Sequence, residues 1–397
     1  MRTAKVPFGE FAVVQPSVSL ERGTDYPFIA MEDVEPKRRA VVPGSERMWD
    51  GGGGARFENR DVLFARITPC LEHGKIAQVD NLAAGAGFGS TEFLVFRKRD
   101  GISDGRYIYY LACSDILREP AIKSMVGASG RQRAQRSVVE ETLVLAPSVA
   151  VQRRIADILS AYDDLIENNR RRMALLEEAA RQLYREWFVR LRFPGHEHTP
   201  NPNGVPEGWE RVPAPDAVDI NPSTKLSDEA EHWSVEMADL PCNSMVIQQG
   251  TRREGRSGSK FKNGDTLFAR ITPCLENGKT AFVDFLEEGE VARGSTEFIV
   301  LRSGRLTPES VYCLARTYDF RENAIKSMVG SSGRQRVQES CFEKFLVLVP
   351  SGTLLDLFTE TVRPMFRQVK TLHSQNHKLR AARDLLLPRL MSGEIAV

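Results

Sequence analysis

The residues of this chain best suited to covalent chemistry stand together in Thr68-Pro69-Cys70-Leu71-Glu72-His73-Gly74-Lys75. A thiol beside a carboxylate and an imidazole has the makings of an activated nucleophile, and a Gly-Lys ending resembles the close of a phosphate-binding loop. The chain supplies its own test of both readings. Phe64 to Lys75 returns as Phe268 to Lys279 with one change, His73 to Asn277, and none of the six histidines recurs between the copies. A catalytic base cannot be dispensable in one of two copies, so Cys70 and Cys274 are expected to be buried, turn-stabilising residues. The phosphate-loop reading also fails, because a proline, Pro273, stands where its first glycine would be and copy one continues Gly74-Lys75-Ile76. Residues 51–54, four glycines, follow no clear strand and open no helix, so they are expected to form a loop and not a dinucleotide site. With no C-x-x-C, H-E-x-x-H or metal-spaced aspartates, no catalytic residue and no metal ligand is assigned.

The repetition extends further. Gly89-Ser90-Thr91-Glu92-Phe93 returns from Gly294, and Ala121 to Gly127 with Ser129 to Arg133 returns as Ala324 to Gly330 with Ser332 to Arg336. The first residues of the three blocks lie 204, 205 and 203 positions from their copies, so one unit is written twice with almost no net insertion. In each copy, short β-prone runs such as Asp61 to Ile67 and Thr91 to Arg97, and one short helix over 106–117, precede a proline. A segment with apolar residues at helical spacing follows.

These long segments carry heptad-like seams, Ile155 to Trp187 and Leu355 to Leu390. Set antiparallel with paired numbers summing to 545, Ile155 meets Leu390, Tyr162 meets Arg383, and Trp187 meets Phe358. The sum is chosen so that the two seam asparagines, Asn169 and Asn376, meet in one layer as a register pair. A shift of one heptad is the alternative. The expected fold is α+β: two similar globular α/β domains, each followed by a long helix, the helices packed as an antiparallel coiled coil. The boundaries are 1–147 for the first domain, 148–193 for its helix, 194–208 for a Pro/Gly-rich linker, 209–350 for the second domain and 351–393 for the final helix.

Composition bounds the function. Hydrophobic content of 41% and charged content of 27% are ordinary for a globular protein, and 54 basic against 53 acidic residues exclude an indiscriminate polybasic nucleic-acid binder. Six unpaired-looking cysteines, no apolar leader and no membrane-length run give a cytoplasmic, non-membrane expectation. The repeated blocks are instead rich in donors suited to phosphates and base edges: Arg66, Thr68, Lys75, Lys123, Ser129, Arg131, Gln132 and Arg133, returning as Arg270, Thr272, Lys279, Lys326, Ser332, Arg334, Gln335 and Arg336. Apolar packing needs no such density of donors, and these sixteen residues are the expected DNA-binding set.

The layout resembles the specificity subunit of Type I restriction-modification enzymes. The resemblance rests on Asp61-Val62-Leu63-Phe64-Ala65-Arg66 and its copy to Arg270, Ile166-Glu167-Asn168-Asn169 on the first long helix, Pro206-Glu207-Gly208-Trp209-Glu210 at the restart, and Leu385-Leu386-Leu387-Pro388-Arg389-Leu390-Met391-Ser392-Gly393-Glu394-Ile395 at the end. Copy one lacks the Pro-x-Gly-Trp opening. The resemblance implies two target recognition domains reading a bipartite site on double-stranded DNA, with the helix pair setting the gap. It implies a non-catalytic chain that directs two modification (methyltransferase) subunits and restriction (helicase-nuclease) subunits to that site. S-adenosylmethionine, ATP and Mg would then reside on those partners. Differences between half-sites would fall on 51–54 against 250–258 and on 101–106 against 303–309. The competing readings are a coiled-coil scaffold with two β-rich ligand-binding domains and no DNA role, and a thiol enzyme using Cys70 and Cys274. DNA target, spacer length and the presence of a restriction partner are not written in the sequence.

Overall fold

The computed structural model describes residues 4–397 other than Ser129, Gln249 and Ser332. The chain divides into two compact units, residues 1–167 with 377–397, and residues 168–376, so that the division runs through both long helices.

In the first unit, Val62–Ala65 lies between Phe93–Lys98 and Ile76–Val79, with Ala12–Val14 and Ala40–Val41 at the edges of the five-stranded sheet. All four residues of Val62–Ala65 are buried, as a continuous apolar run demands when both faces of a sheet are covered. Leu63, Val95 and Ala77 belong to one core with Phe57 and Ile29 of a second sheet, while Phe64, Phe96 and Val62 belong to another with Tyr107 and Ile108 of a helix. The second sheet runs Ser45–Met48, Asp25–Ile29, Ala86–Gly89, Ala55–Glu58, and residues 51–54 connect its outer pair. Gly89 pairs with Ile29 in parallel so closely that a Cβ would sit 2.2 Å from the Ile29 carbonyl oxygen, which only glycine permits. Gly294 repeats this against Val235 at 2.6 Å.

The expected helix over 106–117 is two helices, α1 (Gly105–Cys113) and α2 (Asp115–Lys123), broken at Ser114. Ser114 is extended at ψ 156°, and its hydroxyl bonds back to the Leu111 carbonyl at 2.7 Å. The first long helix, α3 (Val149–Tyr184), continues as a π turn through Arg185–Val189. In the first unit its opening turns pack against the end of the final helix, with Ile155, Leu159 and Leu390 in one core. At the expected layer of Tyr162 and Arg383, the Arg383 guanidinium pairs with the neighbouring Asp163, whose carboxylate also accepts the Tyr110 hydroxyl at 2.6 Å. Both members of the pair are buried, and an arginine in an apolar seam requires such an acid.

The second unit repeats the plan. Thr266–Ala269 lies between Phe298–Ser303 and Thr280–Phe282, and a second sheet runs Thr251–Glu254, Glu231–Val235, Val291–Gly294, Ser259–Lys262. Helices α4 (Pro308–Ala315) and α5 (Tyr318–Lys326) correspond to α1 and α2, and α6 (Gly352–Met391) is the final helix. Within this unit Asn169 Nδ2 donates to Asn376 Oδ1 at 3.0 Å, and Trp187 meets Phe358 with ring centroids 5.8 Å apart. Both contacts sum to 545. Among the described residues, no helix is long and apolar enough to cross a membrane.

The units differ where α1 and α4 meet the long helices. Arg316 follows α4 at the position that Cys113 holds in α1. It donates to the carbonyls of Gly278 at 2.8 Å and Cys242 at 3.1 Å and lies 3.9 Å from Glu177. Glu177 in turn accepts Tyr312 Oη at 2.7 Å and the Met245 amide at 2.7 Å. With the smaller Cys113 in its place, the first unit keeps a cavity of about 290 Å³ lined by Gly74, Cys113, Asp163 and Arg383.

Two outcomes are expected. Asn169→Ala removes the buried amide contact to Asn376 and should cost about 1 to 3 kcal/mol, whereas Asn169→Leu with Asn376→Leu should restore the melting temperature or exceed it. Equal losses in both variants would sink the register role. Burial raises the Asp284 carboxyl to about 6, opposed by Lys370. The native state therefore holds this proton more tightly, and the stability it contributes at low pH is lost as pH rises from about 4 through 6. Asp284→Asn should raise stability at pH 7.5 by on the order of 1 kcal/mol and leave it unchanged near pH 4. A gain independent of pH in thermal melts would show that another effect operates.

Candidate nucleic-acid interface

Thr68 to Lys75, with its thiol, imidazole and amine, is a tight turn. Leu71, His73 and Gly74 amides bond to the carbonyls of Ile67, Pro69 and Leu71, Lys75 N bonds to Cys70 O, and Gly74 takes φ +73°. The Thr68-Pro69 and Thr272-Pro273 peptides are cis. Lys75 Nζ donates to the Met31 carbonyl at 2.7 Å, and Lys279 Nζ donates to that of Met237 at 2.7 Å. Each lysine thus ties the turn to the loop beyond the second-sheet strand, and both are half-buried. Cys70 and Cys274 are partly buried, free thiols. Burial pushes the Cys113 thiol up to about 12, so that sulfur is a thiol at neutral pH.

The three repeated blocks, distant in sequence, meet in space. Arg66 N bonds to Glu92 O at 2.9 Å, Ala134 N to Arg66 O at 2.7 Å, and Thr68 N to Gln132 O at 3.0 Å, while Thr68 Oγ1 accepts the Gln132 amide at 3.2 Å. Val126 and Arg133 exchange backbone bonds at the base of a loop. In that loop Gly127 at φ +135° and Gly130 at φ +79° adopt backbone that side chains disfavour, and this accounts for the repeated glycines. The second copy reproduces every bond: Arg270 N to Glu297 O, Val337 N to Arg270 O, Thr272 N to Gln335 O, and Thr272 Oγ1 accepting Gln335 N at 3.0 Å.

This lattice sorts the sixteen expected donors. Arg133 forks onto Glu92 with contacts of 2.9 and 2.6 Å, and Arg336 onto Glu297 with the same distances. The Arg336 guanidinium holds the Glu297 carboxyl below its usual range. Lys123 pairs with Glu119 at 2.9 Å and Lys326 with Glu322 at 3.5 Å, one helical turn back on α2 and α5. Thr68 and Thr272 serve the backbone. Ser129 and Ser332 lie outside the described residues. Arg131 and Arg334 are exposed beside Gln132 and Gln335, and among the described residues their guanidinium groups make no ion pair. Beside them Val126 and Val329 are 58% and 56% exposed, apolar tips on the same loop in both copies.

Sequence reasoning missed a second group. Arg47, on the exposed strand Ser45–Met48, lies 3.7 Å over the Phe28 ring, and Arg56 stands 5.8 Å from Trp49. Arg252 stands 5.5 Å over Trp233 and bonds to Glu290 at 2.6 Å. Stacking orients a guanidinium while leaving its N–H edge available. The available signal was an arginine on each side of the glycine loop at 51–54 and a pair of arginines in Thr251–Glu254.

Comparison with known proteins places these features. Residues 15–178 match the Type I restriction modification DNA specificity domain. The Type I restriction enzyme MjaIX specificity subunit of Methanocaldococcus jannaschii is 24% identical over 318 residues, 75% of this chain and 71% of that one. The EcoAI specificity subunit of Escherichia coli is 30% identical over 151 residues, 36% of this chain but 25% of the relative. In fold, the chain resembles the S subunit of a Type-I restriction-modification system from M. genitalium, with a TM-score of 0.54 at 13% identity, covering 98% of this chain and 96% of that one. Residues 15–178 thus match the Type I restriction modification DNA specificity domain, and over three quarters of its length the chain is similar to a Type I restriction enzyme specificity subunit.

Proposed function

We propose that each domain of this chain reads one half of a bipartite site on double-stranded DNA. The chain then brings two modification subunits, and restriction subunits, to that site in the cytoplasm. The match to a DNA specificity domain supports DNA sequence recognition, and the observation that carries the residue-level reading is the convergence of the three repeated blocks on one exposed loop per domain. Arg131 and Arg334 present forked donors, Gln132 and Gln335 amides, and Val126 and Val329 methyl groups, which suit guanine, adenine and thymine edges in turn. S-adenosylmethionine, ATP and Mg are assigned to the partner subunits, and this chain to recognition without catalysis. We assign the spacing of the half-sites to the helix pair. The 36 residues of α3 and 40 of α6 correspond to about 54 and 60 Å, longer than one duplex turn of about 34 Å.

Since the two loops are nearly identical, the half-sites are expected to share bases in inverted orientation. Methylome sequencing of cells expressing the chain with its methyltransferase partner checks this. Half-sites without a common base in either orientation would refute it. On the duplex so identified, Arg131→Ala and Arg334→Ala should each weaken binding by about 5- to 100-fold, as loss of a forked base contact does. Undiminished affinity in both would remove the loops from the interface. Inserting a matched heptad into both helices near Met173 and Leu372 adds about 10 Å and should lengthen the spacer by about three base pairs without altering either half-site. An unchanged spacer would refute the ruler.

A further inference from the structure

Arg66 and Arg270 occupy the same place in the two copies but have different surroundings. Arg270 donates Nη1 to Glu339 at 3.0 Å and Nη2 to the Val337 carbonyl at 3.2 Å. The residue that corresponds to Glu339, 203 positions earlier like the rest of that block, is Arg136. The charge is reversed. Arg136 itself turns to Glu140 at 2.8 Å and to the Val14 carbonyl at 3.1 Å. Arg66 therefore receives no acid from that position, and among the described residues its guanidinium has no hydrogen bond or ion pair although the side chain is half-buried. Nε is covered without an acceptor in both copies, so the difference lies in the terminal nitrogens.

A partly desolvated guanidinium without an acceptor is an incomplete arrangement, and its planar fork is matched by the oxygens of a phosphodiester. The backbone of Arg66 is bonded to Glu92 and Ala134, in the lattice from which the Arg131 loop projects. We infer that Arg66 holds a DNA phosphate for which Arg270, neutralised by Glu339, has no free fork, and that the two domains grip the DNA backbone unequally. The inference rests on the DNA-binding reading and deepens it. It also divides a single repeated residue into two roles, phosphate clamp in the first domain and loop support in the second.

The test is the salt dependence of duplex binding by the full chain, using mixed-sequence duplex DNA so that no target need be known. Removing one cation from a phosphate lowers the slope of log K against log salt by about 0.9. Arg66→Ala should reduce the slope by that amount, and Arg270→Ala should leave it unchanged. Glu339→Arg, which gives the second copy the charge arrangement of the first, should increase it by about 0.9. Circular dichroism melts establish which variants fold, and if Arg66→Ala does not, Glu339→Arg decides by its gain. Equal reduction by Arg66→Ala and Arg270→Ala, no reduction by Arg66→Ala, or no gain from Glu339→Arg would overturn the inference. A wild-type chain that binds no duplex would overturn the DNA-binding reading itself, and this clamp with it.

Discussion

A polar group placed in an apolar helix seam must find its partner there, and the rest of this architecture follows from how three such groups are matched. Asn169 meets Asn376, Asp163 meets Arg383, and Glu177 meets Tyr312 and the Met245 amide. The first contact is between the long helices alone and sets their register. The other two reach out of the seam. Asp163 also takes the hydroxyl of Tyr110 in α1, and Glu177 takes Tyr312 in α4, so each globular domain is bound to α3 by a buried carboxylate. An acid left unpaired in such a site costs several kcal/mol, about 3 to 5 for a broken buried pair, so slippage of a helix against its domain is penalised as strongly as slippage of helix on helix.

The same matching explains why two copies with one fold are not equivalent. In the second unit the cation beside the carboxylate is Arg316, supplied by the domain. In the first it is Arg383, supplied by the final helix, and Cys113 leaves a cavity where Arg316 would lie. Charge is conserved while its source changes. Duplicated domains diverge readily in this way, because the constraint is on the presence of a partner and not on the element that provides it.

Much of this was legible in the sequence. The heptad steps of the two seams gave the antiparallel pairing, and two asparagines sufficed to choose its register, because few polar residues interrupt those seams. The buried acids were not legible: Asp163 and Glu177 stand one position off the seam, where an acid on a helix is ordinarily solvated, and only the tyrosines of α1 and α4 reveal their burial. The turn at 68–75 shows the opposite failure. Its cysteine, histidine and lysine look chemical in isolation, yet backbone bonds and the cap on Met31 absorb the stretch. Likewise the donors of the repeated blocks were visible as a set. Their sorting into supports such as Arg133 and exposed tips such as Arg131 depends on Glu92 coming from another block, which no local pattern discloses.

That sorting bears on the DNA role proposed for a chain of net charge +1. Uncommitted cations along a surface attract any duplex, and the attraction carries no sequence information. Here Arg133 and Arg336 are neutralised by Glu92 and Glu297 at the base of each loop, which fixes the backbone from which Arg131 and Arg334 project. A recognition surface built so gains little from long-range attraction and depends on a few oriented donors held at low conformational cost. The repeated glycines, threonines and glutamates build that support in both domains, and in the proposed reading it is the arginine and glutamine beside them that meet base edges.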